Sequence, residues 1–137
     1  MHGKATETAI AAMGYLAEHF DDDKRCSAAE IASARKLQGP FVSKVLTELA
    51  RAGLVVGVRG PGGGFSLSRS PDEIALHEVY DLFERGDGDA CPFGGGVCGE
   101  GDPCPLHDRF AAVRKATDRI LHETTFGVFR RKRSKQR

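Results

Sequence analysis

The stretch PFVSKVLTELARAGLVVGVRGPGGGFSLS, residues 40–68, decides the fold. Pro40 suits the first position of a helix, where its missing N–H has no partner to lose. Phe41, Val42, Val45, Leu46 and Leu49 then recur at helical spacing as one apolar stripe, and Gly53 supplies the stop. Beyond it, Leu54, Val56 and Val58 alternate with Val55, Gly57 and Arg59, and Phe65 and Leu67 alternate with Ser66 and Ser68. That is the period of half-buried strands. Between the two runs lies Gly60-Pro61-Gly62-Gly63-Gly64, which can turn tightly and approach another surface closely. A helix followed by two strands around a glycine loop predicts a recognition helix and a hairpin wing. The loop is not a phosphate-cradling one, because it lacks a Lys-Ser/Thr ending and joins two strands.

Upstream, Ile10, Met13, Tyr15, Leu16, Ala17 and Phe20 predict a first helix over residues 6–20, broken by Asp21-Asp22-Asp23. Ser27-Ala28-Ala29-Glu30 has the form of a capping box, opening a short second helix to about residue 34. Helix, helix, turn, helix, strand, loop, strand is the order of a winged helix-turn-helix, expected over residues 1–70. The fold class is therefore mainly α: three helices plus a two-stranded wing, followed by a long C-terminal helix.

Downstream, Ser70-Pro71-Asp72-Glu73 repeats the capping-box pattern and predicts a fourth helix through Ile74, Leu76, Val79, Tyr80 and Phe83, ended by Gly86 and Gly88. Residues 87–102 hold six glycines and no periodicity, a loop that needs something to order it. A last helix begins near Pro105 with Leu106, Phe110, Val113, Thr117, Ile120, Leu121 and Thr124 on one side, a seam like that of a coiled coil. Residues 71–129 are thus expected to carry a ligand loop and dimerisation helices. Residues 130–137 are expected as a disordered basic tail, contact with DNA phosphates being the other reading.

The bulk numbers agree. A chain of 137 residues, 40% hydrophobic and 28% charged, fits one compact unit, and no apolar run approaches the roughly 20 residues of a bilayer span. Met1 to Glu7 lack the apolar stretch of a signal peptide, which predicts a cytoplasmic protein. The net charge of +1 conceals segregation: residues 1–70 hold nine Lys/Arg against seven Asp/Glu, residues 71–129 five against twelve, and residues 130–137 six against none. Duplex DNA attracts the first and last parts and repels the middle.

On the third helix, Gln38, Pro40, Ser43 and Lys44 lie at the first turn and face away from the apolar stripe. Glutamine can pair with adenine edges, serine with several groups, and lysine with phosphate. Arg59 and Gly60 open the wing loop, where a guanidinium suits a narrow minor groove.

Cys91, Cys98 and Cys104 are separated by six and five residues, and two residues separate Cys104 from His107. In a cytoplasmic chain these are not disulfides. Thiolates suit iron-sulfur clusters or zinc, and either needs a fourth ligand. The spacing is too wide for a zinc ribbon, while a three-cysteine, one-histidine zinc site stays open. Cys104 falls at a helix start, whose positive end favours a thiolate. Cys26 stands apart and reads as a structural thiol.

Pro40-x-x-x-Lys44-Val45-Leu46-x-x-Leu49, Gly53-Leu54-Val55 and Arg59-Gly60-Pro61-Gly62-Gly63-Gly64-Phe65, followed by three cysteines, resemble the iron-sulfur regulators of the IscR and NsrR type over nearly the whole chain. The resemblance implies a homodimer that binds operator DNA and takes an iron-sulfur cluster, with [2Fe-2S] favoured over [4Fe-4S]. Operator affinity then follows cluster state, as a sensor of redox change, nitric oxide or iron-sulfur status. It also implies the ligands: the three cysteines with His107 as in IscR, or with an acidic residue of the partner's first helix as in NsrR, which Glu7 approaches. The chain departs from the pattern by one extra residue between the first two cysteines, a small cost in a glycine-rich loop. Two alternatives stand beside this reading: the same fold sensing oxidants through zinc or bare thiols, and, more distantly, an iron-sulfur electron carrier, which would not need a wing. No catalytic triad, carboxylate pair or nucleotide-binding pattern is present, so neither an enzyme nor a small-molecule substrate is expected.

Overall fold

The computed structural model describes residues 3–84 and 105–130. Helix α1, Lys4–Glu18, is buried along Ala9, Ala12, Met13, Leu16 and Ala17 because helices and turns pack around it on several sides. It starts and ends two residues earlier than predicted. A 3₁₀ turn at Phe20–Asp22 follows, and Asp23 takes a left-handed conformation (φ 53°), which aspartate tolerates better than most residues.

Helix α2, Ala28–Arg35, begins where the capping pattern puts it, with Ser27 Oγ accepting from the Glu30 N–H at 3.0 Å. The reciprocal half of the box is not made. The Glu30 carboxylate accepts instead from Lys24 Nζ at 2.6 Å and from the Tyr15 hydroxyl at 2.8 Å. A charge-assisted bond outcompetes one to a solvated backbone N–H. Arg35 pairs with Glu18 and lies 5.2 Å above the Tyr15 ring, so both ends of α2 are fastened to α1.

A tight turn with Lys36 left-handed leads to helix α3, Gly39–Arg51. Gln38 is its N-cap and Gly39 its first residue, which puts Pro40 second rather than first; neither position has an intrahelical partner for its N–H. Val42, Val45, Leu46 and Leu49 are buried against α1 and α2.

Strands β1, Val55–Val58, and β2, Gly64–Leu67, pair antiparallel from Val55 opposite Leu67 to Val58 opposite Gly64. The expected half-burial of the hairpin holds only at its base. Leu54, Val55 and Leu67 are buried, whereas Val56 and Val58 are 49% and 40% exposed because the wing projects from the core. One feature of the wing has no sequence signal: Cys26 forms a bridge to Phe65, its N–H donating to the Phe65 carbonyl at 2.9 Å and its carbonyl accepting from Phe65 at 2.8 Å.

The fourth helix corrects the prediction. Ser70 caps a 3₁₀ turn at Pro71–Glu73, its Oγ accepting from Asp72 N at 3.2 Å, and Ile74 is extended and fully buried. Helix α4, Leu76–Glu84, starts only after Ala75 has paired with Thr125; Glu78 reaches back to accept from the Ala75 N–H at 3.0 Å. Its carboxyl-terminal Glu84 accepts from Gly3 N and from Thr6 Oγ1, each at 2.6 Å, tying α4 to the start of α1. Gly86 and Gly88, the expected terminators, lie outside the described residues.

Helix α5, His107–Glu123, packs on α4 through buried Leu121 and a His77–His122 stack at 4.2 Å. The chain then turns back as a strap. Phe126 donates its N–H to the Ile74 carbonyl at 2.9 Å and is wholly buried, while Phe129 lies against Gly14 of α1. Arg130, grouped with the basic tail by its sequence, is held by Asp21 and Asp72 instead. The core is therefore one cluster running from α1 through the wing base to Ile74, Val79 and Phe126.

Candidate nucleic-acid interface

The apolar stripe of α3 fixes which side faces outward. Gln38, Pro40, Ser43 and Lys44 are all exposed on its first two turns, and the Ser43 carbonyl accepts from Thr47 Oγ1 at 2.9 Å. Arg59 and Gly60 are exposed at the far end of β1, where the Gly60 carbonyl accepts from the Gly63 N–H at 2.9 Å to close the wing turn. Gly63 is held tightly there: a Cβ would fall 2.2 Å from the Val58 carbonyl oxygen.

The sequence reading missed Arg25. Its guanidinium donates to the Gly62 carbonyl at 3.4 Å, which adds a cation to the flank of the wing just before the Ser27 cap of α2. The Lys24-Arg25 pair is visible in the sequence, but its place beside the wing depends on the Cys26–Phe65 bridge. Other cations of this half are engaged internally: Lys24 with Glu30, Arg35 with Glu18, Arg51 with Glu48 and Arg69 with Glu78.

The electrostatics beneath the interface serve structure. The Lys24 ammonium holds the Glu30 carboxyl below the usual carboxylate range. Its contribution to seating α2 is thus present above that range and is lost as the pH falls through it. Burial, reinforced by the Glu30 charge, pushes the Cys26 thiol up to about 11. At neutral pH it is a protonated, fully buried core group, unsuited to act as ligand or nucleophile.

Of the expected metal ligands, Cys91, Cys98 and Cys104 lie outside the described residues. His107 is half-buried as the first residue of α5, and Glu7 is exposed in the first turn of α1. No three ligand-type side chains gather among the described residues. A complete donor set would need the cysteines; of the described candidates His107 stands first in the 17-residue α5, and thiols with an imidazole are donors whose chemistry fits a cluster or zinc.

No described helix is long and apolar enough to cross a membrane. The profile of the Rrf2 family, described as iron-dependent transcriptional regulator, matches residues 2–130. An HTH-type transcriptional regulator of Aquifex aeolicus (strain VF5) is 34% identical over 124 residues, 85% of this chain and 82% of that protein. The HTH-type transcriptional regulator IscR of Cronobacter sakazakii is 33% identical over 103 residues, 72% of this chain but only 61% of its own length. The solved structure of T. potens IscR superimposes with a TM-score of 0.68 at 25% identity, covering 92% of this chain and 82% of that one. CymR, the global cysteine regulator of B. subtilis, shares the fold with a TM-score of 0.73 at 22% identity, covering 92% of both chains. These relatives regulate transcription and are not enzymes. With its recognition helix and wing in place and the family profile matched over almost its full length, the chain belongs to the Rrf2 family of winged-helix, DNA-binding transcriptional regulators.

Proposed function

We propose that this Rrf2 regulator acts as a homodimer whose operator affinity is switched by an iron-sulfur cluster held by Cys91, Cys98, Cys104 and His107, with Glu7 as the alternative fourth ligand. The observation that carries the reading is the course of α5. One end bears His107, close in sequence to Cys104; the other runs into the strap whose Phe126 is fully buried in the core that seats α3. A change at the head of α5 can therefore reach the DNA-reading half through packed residues, which supports the two-state reading. When bound, the cluster would supply an anionic centre sensitive to oxidation and nitric oxide at the head of α5.

The dimer reading rests on the same helix. Leu106, Val113 and Ile120, seven residues apart, are 40%, 47% and 57% exposed. Phe110 and Thr117 fall between them and Thr124 follows, all three half-buried, giving a heptad seam whose exposed apolar residues a second copy can bury. On DNA, Gln38, Pro40, Ser43 and Lys44 face the major groove, and Arg59 and Gly60 the minor groove beside it. Replacing Arg59 by alanine is expected to weaken binding at narrow A·T-rich sites by about 1–3 kcal/mol. A titration on such duplexes giving wild-type affinity removes Arg59 from the reading set.

The ligand assignment is tested by anaerobic purification with visible absorbance, iron and sulfide analysis. Wild type is expected to carry a coloured cluster, and Cys98→Ala to lose it while keeping its helical circular dichroism. His107→Ala and Glu7→Ala then separate the two candidates for fourth ligand. Full iron occupancy in Cys98→Ala, or a colourless wild type with stoichiometric zinc, defeats the assignment.

A further inference from the structure

We propose that Arg25 is a further DNA-contacting residue, which neutralises a backbone phosphate on the rim of the groove that the wing enters and is aimed there by the wing itself. This contact rests on the reading of the wing as a DNA-facing loop and adds to the role given to Arg59. Two observations place it. The Arg25 guanidinium donates to the Gly62 carbonyl at 3.4 Å, two residues ahead of β2, whereas Arg59 directly follows β1. The backbone beside it is also fixed: Cys26 exchanges two hydrogen bonds with Phe65 of β2, and Ser27 caps α2. Cys26 is buried and Arg25 exposed, the alternation of an extended segment packed against a strand.

The Gly60 carbonyl accepts from the Gly63 N–H at 2.9 Å, so the ends of the wing turn lie within about 7 Å of each other. Arg59 and the Arg25 guanidinium thus flank one tight loop. A minor groove about 6 Å wide is walled by the phosphates of both strands, and a loop that enters it brings the cations at its sides against those walls. Arg25 keeps donors for this purpose. A guanidinium has several N–H groups, of which this contact uses one. No carboxylate among the described residues pairs with Arg25, while Lys24, Arg35, Arg51 and Arg69 each hold one. Its seat on Gly62 also reduces the rotamer freedom left to lose on meeting a phosphate.

The test titrates wild type, R25Q, R25K and R59A into two duplexes of about four helical turns, one A·T-rich and one G·C-rich, between about 50 and about 200 mM salt. R25Q should bind both duplexes about tenfold more weakly at the low-salt end, because a phosphate contact carries no sequence information. Its slope of log K against log salt should flatten by about 0.9 for each protomer, the share of one phosphate, while R25K, which keeps the charge, keeps most of the slope. R59A should weaken mainly the A·T-rich complex. A wild-type slope in R25Q overturns the proposal. If R59A still weakens binding in that case, the wing reading stands and Arg25 alone leaves it; if R59A is silent too, the wing reading falls as well. A weaker R25Q complex with the wild-type slope and an unprotected Gly63 amide in hydrogen exchange makes Arg25 a prop of the wing turn rather than a contact, and also overturns it.

Discussion

Replacing Phe126 by alanine is expected to lower the unfolding free energy by about 3–5 kcal/mol, the range for an aromatic removed from a packed core. Phe126 has no exposed surface and is the largest fully buried side chain among the described residues. It stacks on Phe129 at 5.9 Å, its N–H is bonded to Ile74, and the neighbouring Thr125 pairs with Ala75. The cavity cannot close easily, since its walls come from both α1 and the Pro71–Glu73 turn rather than from one movable segment. Against a total of roughly 5–15 kcal/mol for a domain, such a loss shifts the thermal midpoint by about 10–20 °C. Val128→Ala, two residues on and 63% exposed, should stay within about 0.5 kcal/mol. Urea melts of the two variants check this, and a Phe126→Ala loss below about 1 kcal/mol would mean that the strap does not hold α5 to the core.

The second large effect falls on the wing. Gly64→Val is expected to reduce affinity for duplex DNA at least about tenfold while leaving the helices folded. Gly64 has φ +133°, outside the range of a β-branched residue, and a Cβ there would lie 2.9 Å from the Cys26 carbonyl carbon and oxygen. Valine must push β2 away from Cys26, breaking the two hydrogen bonds of the Cys26–Phe65 bridge, each worth about 1 kcal/mol net. The hairpin survives only as a tethered loop, and the contacts proposed for Arg59, about 1–3 kcal/mol, are no longer preorganised. Hydrogen exchange at the Phe65 amide, alongside a binding titration, reads both consequences. Wild-type affinity with Phe65 still protected contradicts this role for the glycine.

The recognition helix and wing are legible in the sequence because each announces itself locally. Pro40 starts the helix, the Val42, Val45, Leu46 and Leu49 stripe sets its inward face, and the glycines force a hairpin. What the sequence hides are pairings between residues far apart in the chain. Cys26 belongs to no strand yet completes the wing, and with it Arg25 reaches Gly62. Ser70 is a cap, as its pattern indicates, but of a 3₁₀ turn rather than of α4, because Ile74 and Ala75 must stay extended to meet residues 125 and 126. Thr124 extends the heptad pattern of α5, so nothing local indicates that the next residues turn back into the core. The proposed cysteine ligands come from spacing and from family resemblance, and the role proposed for them depends on chemistry rather than on periodicity.

A switch of this kind needs a coupling free energy between loop and wing of about 1–3 kcal/mol, or roughly 5- to 150-fold in affinity. The direct measurement is the affinity of one protein preparation for a set of its native promoter fragments, before and after anaerobic removal of the cluster, at fixed salt. The account predicts a change of at least about fivefold on some promoters, abolished by Cys98→Ala. Equal affinity of the loaded and stripped protein on every promoter would contradict it.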